Sequence, residues 1–162
     1  MPAPVSPAPP EPWRPFVTVA VVTEVGGRYL LVEESIDGTL VLNQPAGHLE
    51  HGESLVEAAR REAREETGWN VEPTALLAVY QFDRRGSTHS YLRFTFAATA
   101  RSPLVDAELD PDIHAVHWLG YEELRAARQR HRSPMVLKSV EAARSGQRYP
   151  LELVSRMDPD GA

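Results

Sequence analysis

The chain has 162 residues, no cysteine and a formal net charge of −6. This length suits one domain, and the lack of cysteine excludes disulfides, thiolate zinc sites and a cysteine nucleophile. The acidic balance argues against a nucleic-acid-binding protein and against binding to an acidic membrane surface. Without a long apolar stretch or a signal-peptide pattern, no membrane segment is predicted, and we expect a cytoplasmic protein.

Both ends of the chain differ in composition from the middle. Seven of the first fifteen residues are proline, so residues 1–15 are expected to form a disordered or polyproline II tail. A docking site for a partner that binds proline motifs is the sharper alternative. Residues 155–162 are expected to be a flexible C-terminal tail. One domain therefore remains, over residues 16–154.

The first half of this domain predicts three strands and a helix. Residues 16–22 are almost entirely apolar and mostly β-branched, which is typical of a strand buried on both faces. Turns containing glycine lead to two further strands, at residues 29–32 and 39–42. A helix is predicted over residues 54–67, and Gly68 is suited to end it in the left-handed conformation.

The second half predicts three more strands and then two helices. The strands are expected at residues 75–82, 90–100 and 115–119, and the second of them alternates apolar and polar side chains. The helices are expected at residues 121–129 and 134–145. This order predicts an α/β (α+β) fold, in which helices pack on a mixed β-sheet.

Three glutamates recur on one side of the predicted helix. Glu62, Glu65 and Glu66 are related by i,i+3 and i,i+4 spacing, so their side chains converge on one stripe. Carboxylates held this close repel one another, and at least one pKa should rise without a counter-charge. A hard divalent cation such as Mg²⁺ resolves that conflict, because it prefers oxygen ligands and also shares substrate phosphates.

An ordinary solvated helix would show some of the same residues. The pairs Glu57–Arg61 and Arg61–Glu65 are both spaced for i,i+4 ion pairs on a helix surface. A charge pattern of this kind by itself indicates only a solvent-exposed face. The wider spacing of glycine and charged residues around the helix favours the catalytic interpretation.

That wider spacing resembles the Nudix hydrolase signature. The signature is a Gly, five residues, a Glu, seven residues, Arg-Glu, an aliphatic and any residue, Glu-Glu, any residue, Gly and an aliphatic residue. All seven defined positions match, and only Ala63 and Trp69 stand where larger aliphatic residues are usual. The matching residues are Gly47, Glu53, Arg61, Glu62, Glu65, Glu66 and Gly68. The resemblance implies a loop–helix–loop on a Nudix-type α/β/α sandwich.

The resemblance also implies roles for these residues. The carbonyl of Gly47 and the carboxylates of Glu62, Glu65 and Glu66 would be the metal ligands, with Mg²⁺ as the expected ion and Mn²⁺ as an alternative. Arg61 would fix Glu62 or Glu53 by a charge-assisted hydrogen bond. The catalytic residues are therefore expected among Glu53, Arg61, Glu62 and Glu65. Members of the family often take the base from a later loop, where the candidates are Glu108, Asp110 and Asp112.

Four further residues are candidates for binding the substrate. His48 directly follows the glycine of the motif, and Gln44 lies three residues before it. The plainer alternative is a loop-stabilising hydrogen bond for His48 and a hydrogen bond to the backbone for Gln44. Arg93 could reach a phosphate or face solvent. Arg132 precedes a predicted helix N-terminus, which favours anions, although a capping role for the neighbouring serine is compatible with the same sequence.

Residues 43–50, 132–134 and 145–152 further resemble the NudJ-type phosphatase subgroup of this family. That resemblance implies release of phosphate from nucleoside di- and triphosphates, and from pyrophosphates such as hydroxymethylpyrimidine pyrophosphate or thiamine pyrophosphate. One alternative is a pyrophosphohydrolase acting on another nucleoside diphosphate derivative, such as ADP-ribose. Another is a non-catalytic nucleotide-sensing domain, which the retained glutamates disfavour. The expected partner is a small phosphorylated substrate, with the chain as a monomer or a homodimer.

Overall fold

A computed structural model describes residues 12–157, so most of the predicted N-terminal tail and residues 158–162 lie outside the described part. The strands of the described part are β1 (Phe16–Val25), β2 (Arg28–Ile36), β3 (Thr39–Asn43), β4 (Ala46–His48), β5 (Trp69–Asp83), β6 (Ser90–Pro103) and β7 (Ile113–Gly120). The helices are α1 (Leu55–Thr67), α2 (Tyr121–Ala126) and α3 (Met135–Arg144), with 3₁₀ turns at Arg128–Arg130 and Leu151–Val154. Among these residues no helix is long and apolar enough to cross a membrane.

The strands form one mixed sheet, as the element order predicted. The path through it is β3-β2-β1-β6-β5, with β4 paired to β1 and β7 paired to β2. Strands β1 and β6 are parallel, and their register places Thr18 beside Arg93. The remaining pairs are antiparallel. The end of the sheet where β1 and β6 begin is also where β4 lies, and the candidate site is built there.

Helices cover both faces of the sheet. Successive side chains on a strand point to opposite faces, so Phe96 packs in the core beneath α1 while Ala97 packs in the core beneath α2 and α3. The first core includes Ala58, Ala59 and Ala63 of α1, and the second includes Val136 of α3. The predicted α/β/α arrangement is therefore confirmed.

Helix α1 is fixed at both ends by local hydrogen bonds. The Ser54 hydroxyl accepts from the Glu57 N–H at 3.2 Å, and the Glu57 carboxylate accepts from the Ser54 N–H at 2.7 Å. Gly68 ends the helix at φ 69°, a left-handed conformation that glycine adopts without strain. Glu57 is thus occupied in the cap. Of the two i,i+4 ion pairs predicted for Arg61, the described residues form the pair with Glu65 and not the pair with Glu57.

The structure corrects several predicted boundaries. No strand was predicted between residues 43 and 53, where Pro45 and Gly47 are turn-forming residues, yet the backbone of β4 pairs with Thr18–Ala20 of β1. β5 begins at Trp69, directly after α1, although it was predicted from residue 75; bulges near Pro73 accommodate the proline in the long strand. Helix α2 ends at Ala126, short of the predicted residue 129.

The two atypical positions of the signature are packed. Ala63 is fully buried in the core beneath α1. Trp69 packs against that core and meets Trp118 edge-on, with ring centroids 5.5 Å apart. The bulky tryptophan therefore supplies apolar contact area at the end of α1.

Candidate active site

Arg61 lies at the centre of the charged face of α1. Its guanidinium donates to both carboxylate oxygens of Glu53, at 2.6 and 3.0 Å, and to Glu62 at 2.7 Å. It also donates to Glu65 at 3.2 Å and to the His48 carbonyl at 2.9 Å. These bonds from Arg61 hold the pKa of Glu53 below its usual value. Arg61 thus joins the loop before α1 to the acidic stripe, and it holds both Glu53 and Glu62, which the sequence had offered as alternatives.

Gly47 and Glu62 are in close contact. A methyl group added at Gly47 would overlap the carboxylate of Glu62, so only glycine allows the loop to pass this close to α1. Glu62 is 8% exposed, and burial raises its pKa although the bonds from Arg61 oppose that change. The glycine of the signature therefore brings a backbone segment against a buried carboxylate.

Glu66 lies one turn further along α1 and faces the cavity described below. One of its oxygens accepts a hydrogen bond from the Ala46 N–H at 2.8 Å. Its side chain is nearly buried, and burial raises its pKa to about 8, with a further contribution from the negative charge of Glu62. The predicted rise in pKa within the acidic stripe is thus present in two of its three members.

Asp110 joins the acidic stripe from the loop before β7. Carboxylate oxygens of Glu62, Glu65 and Asp110 all lie within 4.8 Å of one another. The Asp110 N–H donates to the Glu65 carbonyl at 3.0 Å, which fixes this loop to the end of α1. Of the three candidate bases in the loop, only Asp110 belongs to this group of described acids.

These residues fit a divalent cation. The carboxylates of Glu62, Glu65 and Asp110 repel one another at this separation, the pKa of Glu62 and that of its neighbour Glu66 are raised, and the Gly47 backbone lies directly against Glu62. Oxygen donors of this kind suit Mg²⁺ or Mn²⁺. Glu66, which was predicted as a metal ligand together with Glu62 and Glu65, is outside the group of three oxygens and lies beside it on the cavity wall.

A cavity of about 480 Å³ opens beside the acids, at the end of the sheet where β1 and β6 begin. Its lining combines charged groups with apolar and aromatic side chains. On one side are Gly47, His48, Glu50, Glu62 and Glu66; on the other are Arg132, Ser133 and Met135; the sheet contributes Thr18, Glu34, Asn43, Phe82, Tyr91 and Arg93. The volume is within the range of small-molecule sites.

Three of the four predicted substrate-binding residues line this cavity, and Gln44 is the exception. His48, Arg93 and Arg132 line it. His48 is exposed and meets the ring of Phe16 edge-on at 5.6 Å. Gln44 is fully buried, and its amide donates to the Val136 carbonyl at 2.7 Å while its oxygen accepts from Arg93 at 3.1 Å. Gln44 therefore contacts a residue of the cavity wall, Arg93, and does not line the cavity itself. Its direct contact with a substrate stays a prediction.

Arg93 and Arg132 have different surroundings. Arg132 is half exposed and forms an ion pair with Glu34, and its N–H donates to the Leu42 carbonyl at 2.9 Å. Arg93 faces inward from β6 and is 4% exposed. The alternative that Arg93 faces solvent is therefore wrong.

Sequence reasoning missed Glu34 and Asn43 as cavity residues. Glu34 is buried at 6% exposure, and one of its oxygens accepts from the Asn43 amide at 3.1 Å. The available signal was a polar pair, Glu33-Glu34, directly after the apolar run of the second strand. Because successive residues of a strand point to opposite faces, the two glutamates are separated, and Glu34 is the one that lines the cavity.

Comparison with known proteins defines the class to which this fold and site belong. The sequence model of the NUDIX domain matches residues 13–138. The chain therefore belongs to the Nudix family, as the signature predicted. It is a hydrolase that acts on phosphoanhydride bonds of small phosphorylated compounds.

Individual proteins of known sequence or structure are also similar to this chain. Phosphatase NudJ of Escherichia coli (strain K12) is 43% identical over 142 residues, which cover 88% of this chain and 92% of that protein. A NUDIX hydrolase from Nitrosomonas europaea is also 43% identical, with a TM-score of 0.87 over 90% of this chain and 99% of its own. An ADP-ribose pyrophosphatase from Streptococcus suis has a TM-score of 0.63 at 18% identity over 83% of this chain and 96% of its own, and shares the fold.

Proposed function

We propose that this chain is a Mg²⁺-dependent Nudix phosphatase that releases inorganic phosphate from nucleoside di- and triphosphates. The observation that carries the proposal is the cavity itself, which is lined by two carboxylates of α1, Glu62 and Glu66, and by arginines from other elements, Arg93 and Arg132 among them. The 43% identity to a phosphatase along most of both chains supports the phosphatase activity. Hydroxymethylpyrimidine pyrophosphate and thiamine pyrophosphate are further candidate substrates.

The residues that would hold the metal ion are the Gly47 carbonyl and the carboxylates of Glu62, Glu65 and Glu66, with Mn²⁺ as an alternative ion. When bound, the ion neutralises phosphate charge and polarises the phosphoryl oxygen. Glu53 and Arg61 then act as positioning residues, since Glu53 holds the guanidinium of Arg61 and Arg61 holds Glu62 and Glu65 in place. The domain that performs this function spans residues 16–154.

The other cavity residues would bind the substrate and move a proton. His48, Arg93 and Arg132 are positioned to contact phosphate oxygens, because all three line the cavity beside the acids. Asp110 is proposed to accept the proton of the attacking water, since its carboxylate is the one from the later loop that meets Glu62 and Glu65. General-base catalysis of this kind requires a carboxylate within reach of that water.

The test is product analysis on the purified full chain. ADP and ADP-ribose are incubated separately with and without Mg²⁺, and the products are separated by chromatography and assayed for phosphate. Release of AMP and phosphate from ADP, dependent on the metal, is the expected result. Formation of AMP and ribose phosphate from ADP-ribose, with ADP untouched, would reassign the chain as a pyrophosphohydrolase of that class.

Variants of α1 separate catalysis from folding. Glu66→Gln is expected to abolish metal-dependent turnover while circular dichroism remains that of the wild type. Glu57→Gln is the matched control on the same helix, because glutamine also accepts the capping hydrogen bond. Normal turnover by Glu66→Gln would refute the carboxylate–metal mechanism.

A further inference from the structure

Arg93 is a buried cation whose hydrogen-bond partners are neutral. Its Nη1 and Nη2 donate to the Asn43 side-chain oxygen at 3.3 and 3.4 Å, and Nη2 also donates to the Gln44 oxygen at 3.1 Å. Its Nε is buried and has no hydrogen-bond partner among the residues that the structure describes. Among residues 12–157 no carboxylate lies within 4.0 Å of this guanidinium. The side chain is 4% exposed, and it lines the cavity.

A charge in this position is unfavourable unless something pairs with it. Burial lowers the pKa of Arg93 to about 10, and the nearby positive charge of Arg132 acts in the same direction. The guanidinium still keeps its proton at neutral pH, because that pKa is well above 7. The negative charges of Glu66 and Glu34 act in the opposite direction on this pKa, but neither carboxylate is bonded to the guanidinium. An anion entering the cavity would therefore be the first charged group to pair with Arg93 directly.

Asn43 and Gln44 are themselves fixed, so the guanidinium is held in one orientation. The Asn43 amide donates to Glu34 at 3.1 Å, and the Gln44 amide donates to the Val136 carbonyl at 2.7 Å. With the two NH₂ groups occupied, both side-chain oxygens are directed at Arg93. A donor group that is held before the ligand arrives loses less entropy on binding.

The burial of Arg93 also limits which ligand group can reach it. With 4% of its surface exposed, only the end of a ligand inserted into the cavity comes within hydrogen-bond distance. An internal phosphodiester would need room for substituents on both sides. The planar guanidinium matches the oxygens of a phosphate group.

We propose that Arg93 forms a subsite for a terminal phosphate group that binds without a metal ion, and that Asn43 and Gln44 are its positioning residues. The proposal rests on the proposed function only in taking this phosphate to be part of the substrate or the released product. It adds a specificity, because compounds that end in a free phosphate fit the subsite and phosphodiesters flanked on both sides do not.

The test is a titration of the full chain with inorganic phosphate in the presence of EDTA. Binding is monitored by calorimetry and by ³¹P NMR. Wild-type protein is expected to bind phosphate without added metal. Arg93→Gln should weaken binding by about 10-fold or more, the loss expected for hydrogen bonds to a charged group. Arg101→Gln, an exposed arginine on the same strand, should bind like the wild type.

A second variant keeps the proposal testable if Arg93→Gln does not fold. Gln44→Glu places a carboxylate against Arg93 and should weaken phosphate binding about 10-fold or more while Arg93 is retained. For a substrate that ends in phosphate, Gln44→Glu should raise KM more than it lowers kcat, which a purely structural defect would not do. Binding by Gln44→Glu at wild-type affinity would contradict the positioning role.

Failure of this proposal is distinguishable from failure of the proposed function. If wild-type protein binds phosphate only after Mg²⁺ is added, the subsite is wrong, although metal-dependent release of phosphate from ADP could still be observed. If phosphate binds in EDTA and binding depends on Arg93 while no nucleotide is hydrolysed, the subsite stands and the phosphatase activity fails. Equal phosphate affinity of the wild type and Arg93→Gln would overturn the subsite directly.

Discussion

Both carboxylate oxygens of Glu53 accept hydrogen bonds from the guanidinium of Arg61, at 2.6 Å from Nη2 and 3.0 Å from Nε. The third nitrogen, Nη1, is then free to bind Glu62 and Glu65 on the helix. Glu53 in turn accepts a hydrogen bond from the Glu50 N–H at 2.8 Å. This planar, forked guanidinium links the loop to the acidic stripe. A lysine side chain ends in a single ammonium group and cannot reproduce these paired hydrogen bonds.

Arg61→Lys should therefore lower activity while preserving the charge. We expect kcat/KM to fall by about 10- to 100-fold, the usual effect of losing a group that orients metal ligands. The melting temperature of the variant is compared with that of the wild type to show that the fold persists. Arg60→Lys, which changes an exposed neighbour paired with Glu72, should keep wild-type kinetics. Equal losses in the two variants would contradict a special role for Arg61.

Gly47→Ala should disturb the metal site through a steric contact. The added methyl group overlaps the Glu62 carboxylate, so either the loop or the carboxylate must move. We expect Mn²⁺ binding, measured by electron paramagnetic resonance, to weaken about 10-fold or more. The shorter side chain of Glu62→Asp should relieve the overlap, so the two changes together should cost less than the sum of their separate effects. Additive losses would show that the contact is not the cause.

Asp110→Asn and Glu108→Gln form a matched pair in one loop. Asp110 shares the acidic group with Glu62 and Glu65, whereas Glu108 is exposed and outside it. We expect Asp110→Asn to lower kcat by about 100-fold or more, and Glu108→Gln to change it by no more than about twofold. Steady-state rates at saturating Mg²⁺ distinguish the two residues. A larger loss in Glu108→Gln would move the catalytic base to that position.

The stability of the metal-free protein should depend on pH through Glu66. Burial raises its folded pKa to about 8 from a usual value of 4.5. The folded state therefore holds this proton more tightly, so the stabilisation is complete below pH 4.5 and is lost as the pH rises towards 8. In urea denaturation with EDTA, the wild type should lose on the order of a few kcal/mol relative to Glu66→Gln across this window.

The Glu66→Gln variant is the reference because its amide does not titrate in that range. Every other titrating group is common to the two proteins, so the difference between their pH profiles reports Glu66 and its coupling to neighbours such as Glu62. Parallel profiles would mean that the pKa of Glu66 is close to its usual value. Added Mg²⁺ should flatten the wild-type profile, because cation and proton compete for the same carboxylate.

The sequence by itself determined the family, the enzyme class and the main helix. A signature of seven spaced residues specifies both a helix with an acidic stripe and the glycine that lets a loop approach it, and these are local relations along the chain. Helix α1 and its Gly68 cap were predicted to within one residue for the same reason. The sequence also predicted the positions of the longer strands, but it did not predict where most of them begin and end.

Tertiary structure decided everything that depends on residues far apart in the sequence. The short strand β4 exists because β1 supplies hydrogen-bond partners, which outweigh the turn-forming tendency of Pro45 and Gly47. Asp110 joins Glu65 because the loop before β7 folds back onto α1. Whether Arg93 is solvated or buried depends on Asn43 and Gln44, about fifty residues earlier. Side-chain periodicity gives the direction of a residue on its own strand, and only packing fixes what that residue meets.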